Sequence, residues 1–336
     1  MKHLARLLAP ALALACAAPA AAQVVKMATL APEGSPYQLI LKEMGERWKA
    51  LSGGKVELRL YPGSVAGDDA DVVRKMRLGT LNAGLITSVG VANIDKTVYA
   101  LQLPMLYRST EEVDYVLSKM GPKIEAALEA KGFVVRHWAD AGWVRFFTKT
   151  PVTVPDQLKA LKLFAWAGDT DAIEIWKQAG FNSVPLPSTE ISTALQTGLV
   201  NALPTTPQAA ALLQWYTHAP NMTDVKWALL LGASLVTKST WEKLPAELRP
   251  ALMKAAREAG DKLRAESAAA GVRDVEVMKK RGLKVVPVDA ATEAAWRQLV
   301  EGAYPKIRGK VIPAEAFDEA RKHLADFRAQ KGTAAR

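Results

Sequence analysis

From Glu247 to Lys280 the chain is rich in Ala, Leu, Glu, Lys and Arg and has no proline after Pro250. These residues favour helix because they lose little side-chain freedom in it. A continuous helix here is roughly 45 Å long at 1.5 Å rise per residue. That is too long for one small lobe.

The preceding sequence alternates strand and helix patterns. Val24 to Thr29 reads as a short apolar strand. Ser35 is placed as an N-cap, with Pro36 at the first helical position. Ile40, Leu41, Met44, Trp48 and Leu51 then recur at helical spacing until Gly53-Gly54. Val56, Leu58 and Leu60 alternate with Glu57 and Arg59, as a half-buried strand does. Asp68 caps a further helix carrying Val72, Val73 and Met76, closed by Gly79, and Ala83 to Thr87 is the next strand. This order predicts an α/β sheet with parallel strands and crossover helices. Ligands in such sheets sit beyond the carboxyl ends of strands. The loops after Thr29, Tyr61 and Ile86 are therefore binding candidates on topology.

A second α/β region is predicted after a strand pair, Phe133–Trp138 and Trp143–Phe147. Asp156 caps a short helix before the strand Leu161–Ala165. Thr170–Gln178 and Thr189–Gln196 read as helices, and Val200–Leu203 and Leu283–Val288 as strands. Ser239-Thr240-Trp241-Glu242 has capping-box spacing. The expected division is a first lobe of residues 23–146 with about 230–265, and a second of 147–229 with about 266–336.

At the N-terminus, Lys2 and Arg6 flank an apolar run from Leu7 to Ala18, and Ala20-Ala21-Ala22 precedes Gln23. Residues 1–22 thus read as a cleavable signal peptide, which predicts export to the periplasm. Cys16 raises a lipoprotein alternative, but Ala13 stands where a lipobox usually has Leu. Without Cys16 there is no cysteine for disulfides or thiol catalysis. The remaining roughly 310 residues suffice to bury the cores of two ordinary domains. The net charge is +10, or +8 without Lys2 and Arg6. Its cations are dispersed among acids, as in Arg257-Glu258 and Asp261-Lys262. No basic block or aromatic–basic motif predicts nucleic acid as a partner.

Catalytic signatures do not emerge. His3, His137, His218 and His323 show no metal-ligand spacing. Thr87-Ser88-Val89-Gly90 resembles part of a nucleophile elbow, but Ile86 stands where the first glycine is needed. The sequence predicts no enzyme, metal or cofactor.

Five segments occur in a telling order. They are Ala31-Pro32-Glu33-Gly34-Ser35-Pro36-Tyr37; Gly67-Asp68-Asp69-Ala70-Asp71 with Met76-Arg77-Leu78-Gly79-Thr80; Gly142-Trp143-Val144-Arg145-Phe146-Phe147; Leu158-Lys159-Ala160-Leu161-Lys162-Leu163-Phe164-Ala165-Trp166; and Ala194-Leu195-Gln196-Thr197-Gly198. Together the chain resembles the periplasmic solute receptors of tripartite ATP-independent periplasmic (TRAP) transporters, of the dicarboxylate-binding (DctP) type. The segments are similar to that family's first strand–helix loop, its "GDERE…RLGT" block, its crossing strand "GxRxF", its "DLKGLKIR" and its "ALQTG". The resemblance covers nearly all of the mature chain. It implies a two-lobed α/β periplasmic binding protein-like fold with a long helix spanning both lobes. It also implies a receptor for a small organic acid, without cofactor, that delivers its ligand to a TRAP membrane permease. The alternatives are a receptor for a neutral or amine-bearing solute, a sensory binding protein, and a periplasmic enzyme.

The resemblance also implies a site. Arg145 matches a cleft-facing family arginine, and its rigid fork suits a carboxylate. The alternative is a solvated strand arginine paired with an acid such as Asp140. Phe164 stands where "DLKGLKIR" has its arginine, with Trp166 on the same strand face. With Trp143 they offer an aromatic wall for a carbon skeleton. Trp215-Tyr216 can approach it, with core packing the plainer reading of Trp215. Asp71 matches an acidic family position, although a helix dipole explains an acid there equally well. Glu33, Ser35, Thr87, Ser88, Thr205, Thr206 and Gln208 complete the candidate set. Thr205 falls where the family's "VDGxENP" has an asparagine.

Overall fold

The computed structural model describes residues 22–334. The expected signal segment, with Cys16, lies outside the described residues except for Ala22. The first elements are β1 (Gln23–Thr29), α1 (Pro36–Leu51), β2 (Val56–Tyr61), α2 (Asp69–Arg77), β3 (Ala83–Thr87), α3 (Ser88–Ala92) and α4 (Thr110–Ala130). Then come β4 (Phe133–Trp143), β5 (Arg145–Thr148), α5 (Pro155–Lys159), β6 (Lys162–Trp166), α6 (Thr170–Gln178), β7 (Asn182–Leu186), α7 (Ile191–Thr197) and β8 (Ala202–Thr205). The last are α8 (Pro207–Leu212), β9 (Asn221–Thr223), β10 (Leu229–Thr237), α9 (Lys238–Lys243), α10 (Arg249–Lys279), β11 (Lys284–Val286), α11 (Ala290–Ile307) and α12 (Ala314–Ala334).

The strands form two sheets, one five-stranded in the order β2-β1-β3-β10-β4 and one six-stranded in the order β11-β9-β5-β8-β6-β7. In the first, β1 is parallel to β2 and β3, and β10 returns antiparallel between β3 and β4. In the second, β6 is parallel to β7 and β8, and β5 is antiparallel to β8 and β9. Each sheet is the centre of one lobe of an α/β fold.

The strands expected at Phe133–Trp138 and Trp143–Phe147 do not pair with each other. β4 continues to Trp143 in the first sheet, and β5 begins at Arg145 in the second. Just before the crossing, Gly142 sits at φ 91°. The register slips there, with Leu229 facing Trp143 and Leu231 facing Asp140. The strand bulges, which glycine permits and which redirects the chain.

Of three expected caps, one keeps its position without its capping bond and two shift. Asp68 occupies the N-cap position of α2, yet its side chain makes no capping bond. Its carboxylate instead accepts from the Ser188 N–H at 2.9 Å. At α5 the Gln157 side chain accepts from the Thr153 N–H at 2.7 Å, while Asp156 lies inside the helix and pairs with Lys159. At α9 the cap is Thr237, whose hydroxyl accepts from Thr240 N–H at 3.4 Å.

The long helix forms as one rod of 31 residues, α10. Leu252, Ala255, Ala256, Ala259 and Leu263 pack with Leu41, Met44 and Trp48 in the first lobe. Met278 packs with Phe147, Phe164 and Leu195 in the second. The helix therefore spans both lobes. Small residues let it approach β4: a Cβ on Gly260 would lie 2.7 Å from the His137 Cβ. At the C-terminus, α11 lies against α5 and α6, whereas α12 packs on α4 beside the first sheet. There Tyr115 and Phe327 rings are 5.0 Å apart, and Arg328 pairs with Glu112 at 2.8 Å. The expected division, which kept residues 266–336 together, did not include this return. No helix among the described residues is long and apolar enough to cross a membrane.

Gly260→Ala tests the seating of α10. Overpacking costs about 1–3 kcal/mol, more than the helix propensity of roughly 1 kcal/mol that alanine returns. The urea midpoint is expected to fall; an unchanged midpoint would show that α10 can shift away from His137 freely.

Candidate solute-binding site

A cleft of about 420 Å³ lies between the lobes. The first lobe contributes strand ends and the loops after them: Thr29 to Pro32 with Glu33 and Ser35, then Gly63 and Ser64, then Ile86 and Thr87. The second lobe contributes Trp166, Ser188, Ser192, Thr205, Thr206, Gln208 and Trp215. Contacts between the lobes close the rim. The Asp68 carboxylate takes both the N–H and the hydroxyl of Ser188, and Ser64 and Ser188 hydroxyl oxygens are 3.3 Å apart. Tyr99 donates to Asp169 Oδ2 at 2.8 Å, and Lys96 pairs with Asp171.

Of the residues expected from sequence, Glu33, Ser35, Thr87, Trp166, Thr205, Thr206 and Gln208 line this cleft. Ser35 is also the N-cap of α1, and its hydroxyl donates to Pro32 O at 2.6 Å. Thr206 caps α8, accepting from the Ala209 N–H. Gln208 is buried, and its Nε2 has no hydrogen-bond partner in the protein. A buried amide left unpaired costs about 1–3 kcal/mol. At a cleft wall it is a donor kept available for something else.

Arg145, Phe164, Trp143, Asp71 and Ser88 are not among the cleft-lining residues. The Arg145 Nε lies 3.3 Å from Asp224 Oδ1, so its pairing acid is Asp224 rather than Asp140. Arg145 Nη1 is buried without a partner, and burial lowers the guanidinium's pKa. Phe164 is fully buried in the second-lobe core, edge-on to Trp166 at 5.3 Å. Trp143 lies beneath Lys226, whose Nζ is 5.4 Å from the ring centroid. Asp71 pairs with Arg74 at 2.7 Å on the exposed face of α2. Ser88 is buried and donates to Gln102.

Several lining residues escaped the sequence reading. Tyr37 donates to Asp140 O at 2.5 Å. Asp140 also accepts from Gly142 N–H at 3.1 Å and from the Ser267 hydroxyl of α10. Burial raises the Asp140 carboxyl above its usual range. Ser188 follows β7, so the strand-end rule applied to the second lobe would have found it. Leu212, Leu213, Leu230 and Leu231 carry no signal beyond apolarity. Trp215 both lines the cleft and belongs to the core, with its Nε1 donating to Ser192 at 3.1 Å.

The electrostatics are one-sided. The charged lining residues are Glu33 and Asp140, and no Lys, Arg or His lines the cleft among the described residues. A larger groove of about 810 Å³ does carry arginines, but it runs over α11 and α12. Of the arginines lining it, Arg297, Arg308 and Arg328 are already paired with Glu293, Asp318 and Glu112, and Arg321 lies over the Phe317 ring, leaving Arg108 among the described residues.

Comparison with known proteins places this architecture. Residues 27–310 match the family described as bacterial extracellular solute-binding protein, family 7 (DctP), and the chain belongs to it. It is 26% identical over 271 residues to the 2,3-diketo-L-gulonate-binding periplasmic protein YiaO of Escherichia coli, covering 79% of this chain and 81% of that protein. It is 24% identical to the C4-dicarboxylate-binding periplasmic protein DctP of Rhodobacter capsulatus, over 90% of this chain and 92% of the relative. A TRAP periplasmic solute binding protein of Citrobacter koseri with bound D-glucuronate superposes with a TM-score of 0.81 at 25% identity, over 90% of this chain and 99% of that one. A TRAP receptor of Sulfurospirillum deleyianum with bound succinate shares the fold, with a TM-score of 0.82 at 22% identity, over 90% and 98% of the two chains.

One buried acid supports the wall. Asp69 accepts from Thr87 N–H at 2.9 Å and from Thr87 Oγ1 at 2.5 Å, while its Oδ1 is buried without a partner. Burial pushes its carboxyl up to about 7, against the two Thr87 bonds. The folded state then holds the proton more tightly than the unfolded chain, whose Asp titrates near roughly 3.9. Stability from this group is full below pH about 4 and declines as pH rises to about 7. Asp69→Asn keeps an acceptor without the charge. It is expected to flatten the urea-midpoint profile between those limits and to be more stable than the parent at pH 8, by on the order of 1 kcal/mol.

Proposed function

We propose that this chain is a periplasmic receptor that captures a small solute between its lobes and delivers it to a TRAP-type membrane permease, without turning it over. The observation that carries this reading is the Gln208 amide, buried at the cleft wall with Nε2 unpaired. A ligand touching both lobes favours the closed form by its differential affinity. Micromolar capture needs only about −8 kcal/mol, within reach of a few buried hydrogen bonds and an apolar wall.

The ligand class put forward first is a small organic acid. Relatives and neighbours named for 2,3-diketo-L-gulonate, C4-dicarboxylates, D-glucuronate and succinate support it. Thr205, Thr206 and Gln208 would meet its oxygens, and Arg145 would reach a carboxylate by exchanging Asp224 for it. A second reading, a neutral or amine-bearing solute, is favoured by the acid-only lining of Glu33 and Asp140.

A thermal-shift screen of carboxylic acids against their amides and against amines separates the two readings. Stabilisation confined to amides or amines removes the organic acid. Mass spectrometry of the recovered compound, unchanged after incubation, checks the absence of turnover. Gln208→Leu is expected to leave the unliganded melting temperature equal or higher, while ligand affinity falls about tenfold. Asp68→Ala, which removes the Ser188 contact, is expected to weaken binding about three- to tenfold by favouring the open form; titration calorimetry reads both.

A further inference from the structure

A second cavity, of about 210 Å³, adjoins the cleft. Trp166, Thr205 and Leu230 border both spaces. Beyond Trp166 the walls are apolar, with Trp176, Phe181, Trp227, Ile175 and Leu299 prominent. Trp176 stacks on Trp227 at 5.2 Å and 20°, and Phe181 meets Trp176 edge-on at 4.9 Å.

Among the polar side chains of this cavity, Tyr99, Asp169 and the Gln102 side-chain carbonyl are already engaged, and Thr205 stands at the mouth shared with the cleft. Asp169 accepts from Tyr99 at 2.8 Å and from Ala172 N–H at 3.0 Å. Gln102 Oε1 accepts from Ser88 and, at 3.3 Å, from Leu231 N–H. Little polarity is left over for a solute, and what the cavity offers is hydrophobic contact. Protein interiors seldom hold voids larger than a water molecule. An apolar cavity of about 150 Å³ accepts a benzene ring, so this one has room for a phenyl or a branched alkyl group.

We propose that cleft and cavity form one bipartite site, taking a solute with a compact polar head and an aromatic or branched alkyl tail that passes Trp166 to lie against Trp176 and Trp227. The proposal rests on the receptor reading above and is independent of the charge of the head. It departs from D-glucuronate and succinate, the ligands of two structural neighbours, which carry no such tail.

Titration calorimetry with the mature chain, freed of bound solute by unfolding and refolding, tests this with three probe pairs. They are lactate and 3-phenyllactate, lactamide and 3-phenyllactamide, and ethanolamine and 2-amino-1-phenylethanol. In at least one pair the phenyl member is expected to bind about tenfold or more tightly. Ala172→Phe, which fills the cavity from α6, is expected to bring that ratio close to one. Should this variant unfold, Ala303→Leu fills the cavity from α11 instead. Bare members binding as well as phenyl members overturn the bipartite site and leave the receptor standing. A phenyl preference that survives the filling variant overturns it as well. Silence from all six compounds counts against both readings.

Discussion

The chain leaves the first sheet for the second between Trp143 and Arg145, and returns between Trp227 and Leu229. Where the crossings meet, Val144 N–H donates to Ala228 O at 2.8 Å and Trp227 N–H donates to Val144 O at 3.1 Å. These bonds tie two single strands into one strap. α10 makes a third link, anchored in the first lobe by Trp48 Nε1 donating to Leu252 O at 3.0 Å and in the second by Met278. Sliding one lobe over the other would pull α10 from one of its two anchorages, the first-lobe core around Trp48 or the second-lobe core around Phe164. Bending at the strap disturbs only a few backbone angles, as hinges generally do. The rim contacts at Asp68–Ser188 and Tyr99–Asp169 join the lobes through side-chain hydrogen bonds, so they can break and re-form without repacking a core.

On its second-lobe side the cleft has an aromatic stretch of wall beside its polar residues. Phe164 extends the core formed by Phe147, Leu195 and Trp215 towards the gap, and Trp166 carries that apolar surface to the wall. An arginine in place of Phe164 would need an acid or a ligand carboxylate to offset its desolvation. Phenylalanine needs neither. The cleft's charge balance is thereby left to Glu33 and Asp140, and the low dielectric beside an aromatic wall makes their field felt more strongly. In the proposed receptor, head-group choice would then be a contest between those acids and the neutral donors at Thr205, Thr206 and Gln208.

How much of this was legible follows from where each signal resides. α10 was legible because helix propensity summed over thirty-odd residues is local information. The first-lobe wall was legible because parallel strands put their carboxyl ends on one edge, which places Ser35 and Thr87 without knowledge of any side-chain direction. Arg145 and Asp68 were not, because their partners, Asp224 and Ser188, are remote in sequence and no spacing announces them. The apolar wall at Leu212 and Leu230 was hidden for another reason. Residues that line a gap and residues that fill a core have the same composition, and only the gap itself tells them apart. The resemblance to TRAP receptors supplied the architecture, while the side-chain exchange at Phe164 is what the resemblance alone could not interpret.

Two donors near the cleft lack partners, the Gln208 Nε2 and the Arg145 Nη1. Arg145 pairs with Thr205 across β5 and β8, and Gln208 follows Thr205 at the start of α8. They therefore belong to one patch of the second lobe. Each unpaired buried donor destabilises the unliganded protein by about 1–3 kcal/mol, a sum comparable with the net stability of a domain being only about 5–15 kcal/mol. An acceptor delivered to this patch recovers part of that deficit, and it does so most fully when the first lobe has closed and excluded competing water. In the proposed receptor, strain left in the empty protein would thus become preference for the filled, closed form, adding to the bias of the Asp68–Ser188 rim contact.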